Sequence, residues 1–364
     1  MTYKETLLFI GKCLTISHEE NNLQSITKQI KSDEIDWDSV VKVSTAHYVF
    51  PALYCNLKRA NLLSYLPEDL VSYMKHITDL NRERNIQIID EAKEINELLT
   101  NNGITPIFLK GTGFLLQDFY EDIAERMVGD IDFIVSPKDY EKTIKKLLLN
   151  NYSKLYKIDY DIPKRHYPRL IKQDEIAAVE IHKQMILDKY TDEFNFHTIK
   201  EKIISKNNIS FLSLEDQLSL TAIAIQINDN GQFYNNISLR NAYDTYLLST
   251  RTNSLQSIIN FDKLFSPLNN FLGICNEVLS SSIHYKKTQE SEKYKAVFYR
   301  LITNQKFQKQ HSKKWKKKLF LNSRLDVIYK SIYRKDYRYF LLRRITDKTW
   351  YKEKMVQIGL KSSS

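Results

Sequence analysis

Residues that break helices are scarce. The 364 residues include only 8 glycines and 7 prolines, which leaves few interruptions and favours long helices. Cysteine is scarcer still. Cys13, Cys55 and Cys275 are far apart, with no Cys-x-x-Cys spacing and no histidine at ligand spacing beside them, which argues against a disulfide framework or a zinc site. Buried thiols in a reducing compartment fit better. No stretch approaches the ~18 apolar residues of a membrane span. The short apolar run near the N-terminus is broken by Lys12 and does not make a secretory signal. These absences predict a cytoplasmic protein with no transmembrane segment.

The chain is long enough for two or three compact regions. With 42% hydrophobic and 27% charged residues it has the composition of a globular protein. Its charge is uneven. Residues 301–364 hold 18 Lys and Arg against 4 Asp and Glu, a net +14, so the rest of the +10 chain carries −4. The basic character belongs to the tail.

The chemistry gathers around two stretches. Ile104 to Leu109 reads as a short buried strand running into Lys110-Gly111-Thr112-Gly113, a turn that opens a helix carrying Phe114, Leu115, Leu116 and Phe119. Backbone N–H groups at such a helix start attract phosphate. About twenty residues on, Gly129-Asp130-Ile131-Asp132 opens a second strand. Side chains two apart on a strand share a face, so Asp130 and Asp132 stand together while Ile131, Phe133 and Val135 point into a core. Two carboxylates on one face repel unless a cation lies between them, and Mg²⁺ takes oxygen ligands.

These residues resemble the nucleotidyltransferase superfamily typified by DNA polymerase β. More closely they resemble a bacterial family of uncharacterised nucleotidyltransferases whose core reads Leu-Lys-Gly, then Arg, then Gly-Asp-Ile-Asp, matched here by Leu109-Lys110-Gly111, Arg126 and Gly129 to Asp132. The wider superfamily has Gly-Ser where this chain has Lys110 to Gly113. The resemblance implies a third carboxylate on a neighbouring strand. Ala178-Val179-Glu180-Ile181-His182 supplies Glu180 where the family has Asp. The implied fold class is α+β: a nucleotidyltransferase core with a small mixed sheet (101–190), between an N-terminal helical region (1–100) and a C-terminal helical region (191–364) that ends in the basic tail (301–364).

The implied activity is transfer of an NMP from an NTP to an acceptor hydroxyl, with Asp130, Asp132 and Glu180 holding two Mg²⁺ (or Mn²⁺) ions roughly 3.5–4 Å apart. Gly111, Thr112 and Gly113 would bring backbone and hydroxyl to the β- and γ-phosphates. Lys110 reaches a phosphate or pairs with the acids. The planar fork of Arg126 suits a triphosphate. His182, on the face of Glu180, touches the acceptor, orients a carboxylate or is structural. The acceptor class stays open among a small molecule, a protein side chain and an RNA end. The rival reading is a nucleotide-binding protein without turnover, or a module that binds RNA or an anionic surface through its tail.

Elsewhere the spacing predicts a long helix from Pro67 to Leu99 ended by Asn101-Asn102-Gly103. It predicts an N-cap at Ser136 with Pro137 following, a helix to Leu149, a further strand within 152–160, and a loop over 159–168. A hairpin of 170–171 with 176–182 turns around Lys172 to Glu175. Residues 190–300 read as helix, with a capping box at Ser213 to Asp216. Arg240 and Asp244 lie four apart and predict a helical ion pair, with substrate binding as the second reading. The resembled family has a His about ten residues past Glu215-Asp216, where this chain has Ile225-Gln226. His47 reads as a packing or capping residue, with a functional role as the second reading. In the tail, Lys313 to Lys318 precede a helix capped by Ser323 with Leu325, Ile328, Tyr329, Ile332, Tyr339 and Phe340 as its apolar stripe. Residues 313–344 therefore suit RNA, an anionic surface or an acidic partner, or form a solvated helix docked on the lobe.

Overall fold

The computed structural model describes residues 1–32, 34–155, 165–348 and 351. Five helices come first: α1 (Tyr3–Cys13), α2 (Glu20–Lys31), α3 (Trp37–Ala46), α4 (Phe50–Arg59) and α5 (Glu68–Thr100). Side chains satisfy the exposed N–H groups at the starts of α1 and α3. Thr2 and Glu5 form a capping box on α1, and Asp36 accepts from the Ser39 N–H on α3. The 33-residue α5 matches the expected long helix and ends at Asn101, with Gly103 in the left-handed region. Two asparagines buried on α5 reach the loop ahead of the acidic strand. Asn81 Nδ2 donates to the Ala124 carbonyl at 2.7 Å, and Asn85 Nδ2 to the Ile123 and Arg126 carbonyls at 2.6 and 2.8 Å. A long helix thus fixes the approach to the site.

The α+β core follows. It comprises β1 (Ile107–Phe108), α6 (Lys110–Leu116), β2 (Asp130–Ile134), α7 (Tyr140–Leu149), β3 (Tyr152–Lys154), β4 (Leu170–Lys172) and β5 (Ala178–His182). Next are α8 (Phe196–Ile199) and the hairpin β6 (Ile204–Lys206) and β7 (Ile209–Phe211). Among the described residues, seven strands lie in the order β3-β4-β5-β2-β1-β7-β6. β2 is antiparallel to β1 and parallel to β5, with Asp132 directly opposite Glu180. Phe108, Phe133 and Phe211 are fully buried in the layer beneath.

The hairpin of β6 and β7 corrects the expectation of continuous helix after residue 190. Its two-residue turn is Asn207-Asn208, both left-handed at φ 51° and 61°, as a tight hairpin turn requires. β7 then adds to the sheet parallel to β1. Ser136 also differs from expectation. It precedes a short 3₁₀ turn at Pro137–Asp139 but makes no side-chain cap bond. The expected strand at 152 is present as β3, and its continuation past 155, like the loop up to 164, lies outside the described residues. The hairpin of β4 and β5 is present, turning through Asp174 at φ 68°.

The remaining helices are α9 (Leu214–Ile223), α10 (Gly231–Tyr234), α11 (Leu239–Ser249), α12 (Phe265–Leu279), α13 (Gln289–Thr303), α14 (Gln305–Tyr333) and α15 (Lys335–Thr346). Ser213 caps α9 by accepting from the Asp216 N–H. The helix then widens into a π-helical turn over Ala224–Asn228, a feature frequent at functional sites. Ser323 does not start a helix. It lies inside the continuous α14, whose cap is Asn304, and its hydroxyl bonds back to the Phe320 carbonyl at 2.8 Å. α14 docks on the lobe by stacking Trp315 on Phe233 (ring centroids 4.9 Å apart) and by pairing Lys330 with Asp188 at 3.0 Å. Phe340 is buried, whereas Leu325, Ile328, Tyr329, Ile332 and Tyr339 are exposed. No described helix is long and apolar enough to cross a membrane.

Candidate active site

Three carboxylates converge where β2 and β5 run side by side. The parallel register puts Asp132 opposite Glu180, and the two-residue repeat of β2 puts Asp130 on the same face. They form the floor of a cleft of about 380 Å³, walled by the Lys110 turn on one side and by the π-helical turn and α11 on the other.

Cations hold the acids together. Lys110 Nζ lies 2.6 Å from Asp132 Oδ1. Arg169, just before β4, bridges the two strands, with Nε 2.7 Å from Glu180 Oε1 and Nη2 3.0 Å from Asp130 Oδ2. His182 is buried, its Nε2 2.8 Å from Asp132 Oδ1 and 3.5 Å from Glu180 Oε2. Burial pushes the Asp132 carboxyl up, but Lys110 and His182 outweigh it and hold the group below its ordinary range. Glu180 is likewise pushed up by burial and held far below by the His182 hydrogen bond, Lys110, His166 and Arg169. Asp130 moves the other way. Burial raises it, Arg169 only partly offsets this, and the neighbouring Glu180 and Asp132 charges add to the rise.

The turn is tightly built. Lys110 adopts φ 52°, a left-handed conformation that costs energy for a side-chain-bearing residue and aims its ammonium at Asp132. Thr112 is fully buried behind the turn, where its hydroxyl donates to the Asp130 carbonyl at 2.8 Å and ties α6 to β2. A Cβ on Gly113 would meet the Phe108 carbonyl oxygen at 2.9 Å, and one on Gly111 would meet Val128 Cγ2 at 2.8 Å. Both glycines therefore let α6 sit close to its neighbours.

Arg126 lines the cleft, but its guanidinium is engaged. Nε and Nη2 each lie 3.0 Å from Asp244 Oδ2, and Nη1 donates to the Met127 carbonyl at 2.8 Å. Asp244 also accepts from the Tyr120 hydroxyl at 2.5 Å. The expected pairing of Asp244 with Arg240 is therefore not made, because Asp244 faces inward to Arg126 across 118 residues of sequence. His47 packs as expected, within hydrogen-bonding distance of Tyr3 (3.1 Å) and of the Leu239 N–H (3.3 Å).

The donor set suits a divalent cation. Ligand atoms of Asp132, Glu180 and His182 all lie within 4.8 Å of one another, with Asp130 alongside on the same strand. Three carboxylates from two adjacent strands are a hard-oxygen set, and the imidazole adds one nitrogen. Sequence reasoning misses Arg169, and also Arg165 and His166, which line the same cleft. Their only signal is basic residues in a proline-containing loop, and nothing local points that loop at Asp130.

A strand, a Lys-Gly turn and helix, and a strand bearing two aspartates beside one bearing a glutamate together define a nucleotidyltransferase-type core. A family model described as "Uncharacterised nucleotidyltransferase" matches residues 33–280. The chain belongs to that family. The match ends before α13, so the basic helices α14 and α15 lie outside it. No curated protein and no solved structure matches the chain.

Proposed function

We propose that the protein transfers an NMP from an NTP to an acceptor hydroxyl, with Asp130, Asp132 and Glu180 as the catalytic carboxylates. The observation that carries this reading is the register of β2 and β5, which brings the three to one floor beside the Lys110 turn. Asp130, Asp132 and Glu180 would hold Mg²⁺ or Mn²⁺, with His182 fixing the orientation of Asp132. When bound, the cation neutralises the phosphate chain and makes the acceptor hydroxyl more acidic. The acceptor oxygen bonds to the α-phosphorus as the bond to pyrophosphate breaks, and the hydroxyl proton passes to one of the three carboxylates. Little covalent work falls to the protein, so positioning and electrostatics dominate. Lys110 exchanges its contact with Asp132 for the phosphate chain, which the Gly111 to Gly113 turn approaches closely. Arg126, braced by Asp244, shapes the rim.

We further propose that the acceptor is a macromolecule held by the tail. Lys313, Lys314, Lys316, Lys317 and Lys318 are all exposed on α14, and such a row suits the phosphate backbone of RNA. The test is to incubate the protein with each α-labelled NTP, Mg²⁺ or Mn²⁺, and cell extract separated into protein, RNA and small-molecule fractions. Label transferred by the wild type and not by an Asp130→Asn/Asp132→Asn variant is the expected result, and the labelled fraction names the acceptor. Bound NTP with no label in any fraction would instead favour a nucleotide-binding protein without turnover.

A further inference from the structure

Among the described residues, five lysine and arginine side chains line the cleft: Lys110, Arg126, Arg165, Arg169 and Arg240. Three are matched by acids within hydrogen-bonding distance: Lys110 by Asp132, Arg126 by Asp244, and Arg169 by Glu180 and Asp130. The other two are not. Among the described residues, no carboxylate lies within ion-pairing distance of Arg165 or Arg240, and the Arg165 side chain makes no hydrogen bond. Arg240 Nε is buried without a partner. Its one hydrogen bond is a long 3.3 Å contact from Nη1 to the Met127 carbonyl, an acceptor already used by Arg126 at 2.8 Å. The ring of Tyr48 covers the Arg240 guanidinium at 5.0 Å from the centroid. Asp229, Glu180 and Asp132 act electrostatically on Arg165, and Asp229 and Asp244 on Arg240, but none of these carboxylates contacts either guanidinium.

A desolvated guanidinium with no carboxylate in contact is unfavourable, and folded proteins retain such groups where a ligand supplies the missing contact. Burial lowers both, Arg240 to about 10 with the neighbouring Arg126 charge adding to the effect. Both belong to elements anchored elsewhere: Arg240 is in the first turn of α11, and the Arg165 carbonyl accepts from the Lys183 and Gln184 N–H groups just past β5. Their backbones are thus fixed at the cleft, which both side chains line. Planar forks of this kind match the paired oxygens of phosphate groups.

We infer that Arg240 and Arg165 receive the phosphate chain of the nucleotide, while Arg126 serves as a structural strut. This rests on the nucleotidyltransferase reading and adds which side chains bind the phosphates. It exchanges the role that the family resemblance implies for Arg126 with the one that helical spacing suggests for Arg240. Because among the described residues no carboxylate is in contact with Arg165 or Arg240, replacing either should leave the fold intact.

The test is titration calorimetry of the wild type, Arg240→Gln, Arg165→Gln and Arg240→Lys with Mg²⁺-tripolyphosphate, Mg²⁺-pyrophosphate and each of the four NTPs, with melting curves alongside. A charge-assisted hydrogen bond lost from a ligand corresponds to a roughly tenfold to hundredfold weaker affinity. Each Gln variant should show that loss for tripolyphosphate at a melting temperature no lower than that of the wild type. Arg240→Lys should fall between, keeping the charge but not the fork. Wild type that binds an NTP, with Gln variants binding tripolyphosphate within twofold of it, would overturn this assignment and leave the nucleotide reading standing. Wild type that binds neither tripolyphosphate nor any NTP would overturn both.

Discussion

Arg126 is the residue whose replacement most sharply separates a structural from a ligand-binding role. Its partner Asp244 has a side chain only 1% exposed, held by two 3.0 Å contacts from Arg126 and by the Tyr120 hydroxyl at 2.5 Å. Arg126→Met removes the counter-charge and leaves a carboxylate stranded in the core. Breaking a buried pair from one side costs about 3–5 kcal/mol, most of it the penalty on the remaining charge. If that reasoning holds, the cost should collapse once the stranded charge is gone. Asp244→Asn is neutral and can still accept from Tyr120, so Arg126→Met in the Asp244→Asn background should cost no more than about 1–2 kcal/mol. The assay is urea unfolding of the wild type, both single variants and the double variant at fixed pH and salt. Two results would refute the argument: an Arg126→Met cost below about 1 kcal/mol, or the same cost in both backgrounds. Either would mean that the pair does not hold the core, and Arg126 would return as a candidate for ligand binding.

Asp130→Asn should reduce metal-dependent labelling at least ~100-fold while the melting curve stays within a few degrees of wild type, and retained turnover would remove Asp130 from the catalytic set. Gly113→Ala should destabilise by about 1–3 kcal/mol, because the new methyl meets the fixed Phe108 carbonyl, and a neutral result in thermal unfolding would contradict that packing. Glu91, buried on α5 with Oε1 bonded to Tyr152 and Oε2 unpartnered, is pushed up to about 7 by burial and by Glu175. A raised carboxyl favours the folded state in its protonated form, so its contribution is complete below about pH 4, fades as pH rises to about 7 and is absent above, a span of about 3 kcal/mol. Glu91→Gln should flatten that part of the stability profile, and an unchanged slope would exclude Glu91 as its source. Replacing the five lysines between 313 and 318 with Gln should lower retention on RNA and shallow its salt dependence without touching NTP affinity, whereas unchanged retention would remove the tail from acceptor binding.

What was legible in the chain was local. The alternation of Asp130 and Asp132, the Lys110 turn at a strand end, the unbroken run that becomes α5 and the hairpin closing on β5 all depend on spacings of two to four residues. Backbone geometry converts such spacings directly into faces and turns. Glu180 was reached through the family resemblance, which also supplied its place next to Asp132. Where local rules competed with distant contacts, they failed. Helical spacing pairs Arg240 with Asp244, but α11 turns Asp244 inward, where Arg126 and the Tyr120 hydroxyl hold it, while the Arg240 guanidinium lies under the Tyr48 ring. Arg169 and Arg165 carry no pattern at all, since their meaning depends on a loop folding back over two strands. Asn207-Asn208 join strands too short to show an alternation, and β7 is held between β6 and the distant β1, a pairing that local spacing does not reveal. The helix start expected at Ser323 has no counterpart in the fold, where α14 runs on through that residue because packing at Trp315 and Lys330 supports it on both sides. The chain on its own determined which side chains bear charge and which local faces they share. Tertiary structure decided which charges neutralise each other, and therefore which remain for a ligand, because ion pairing depends on distance and burial that only the assembled core defines.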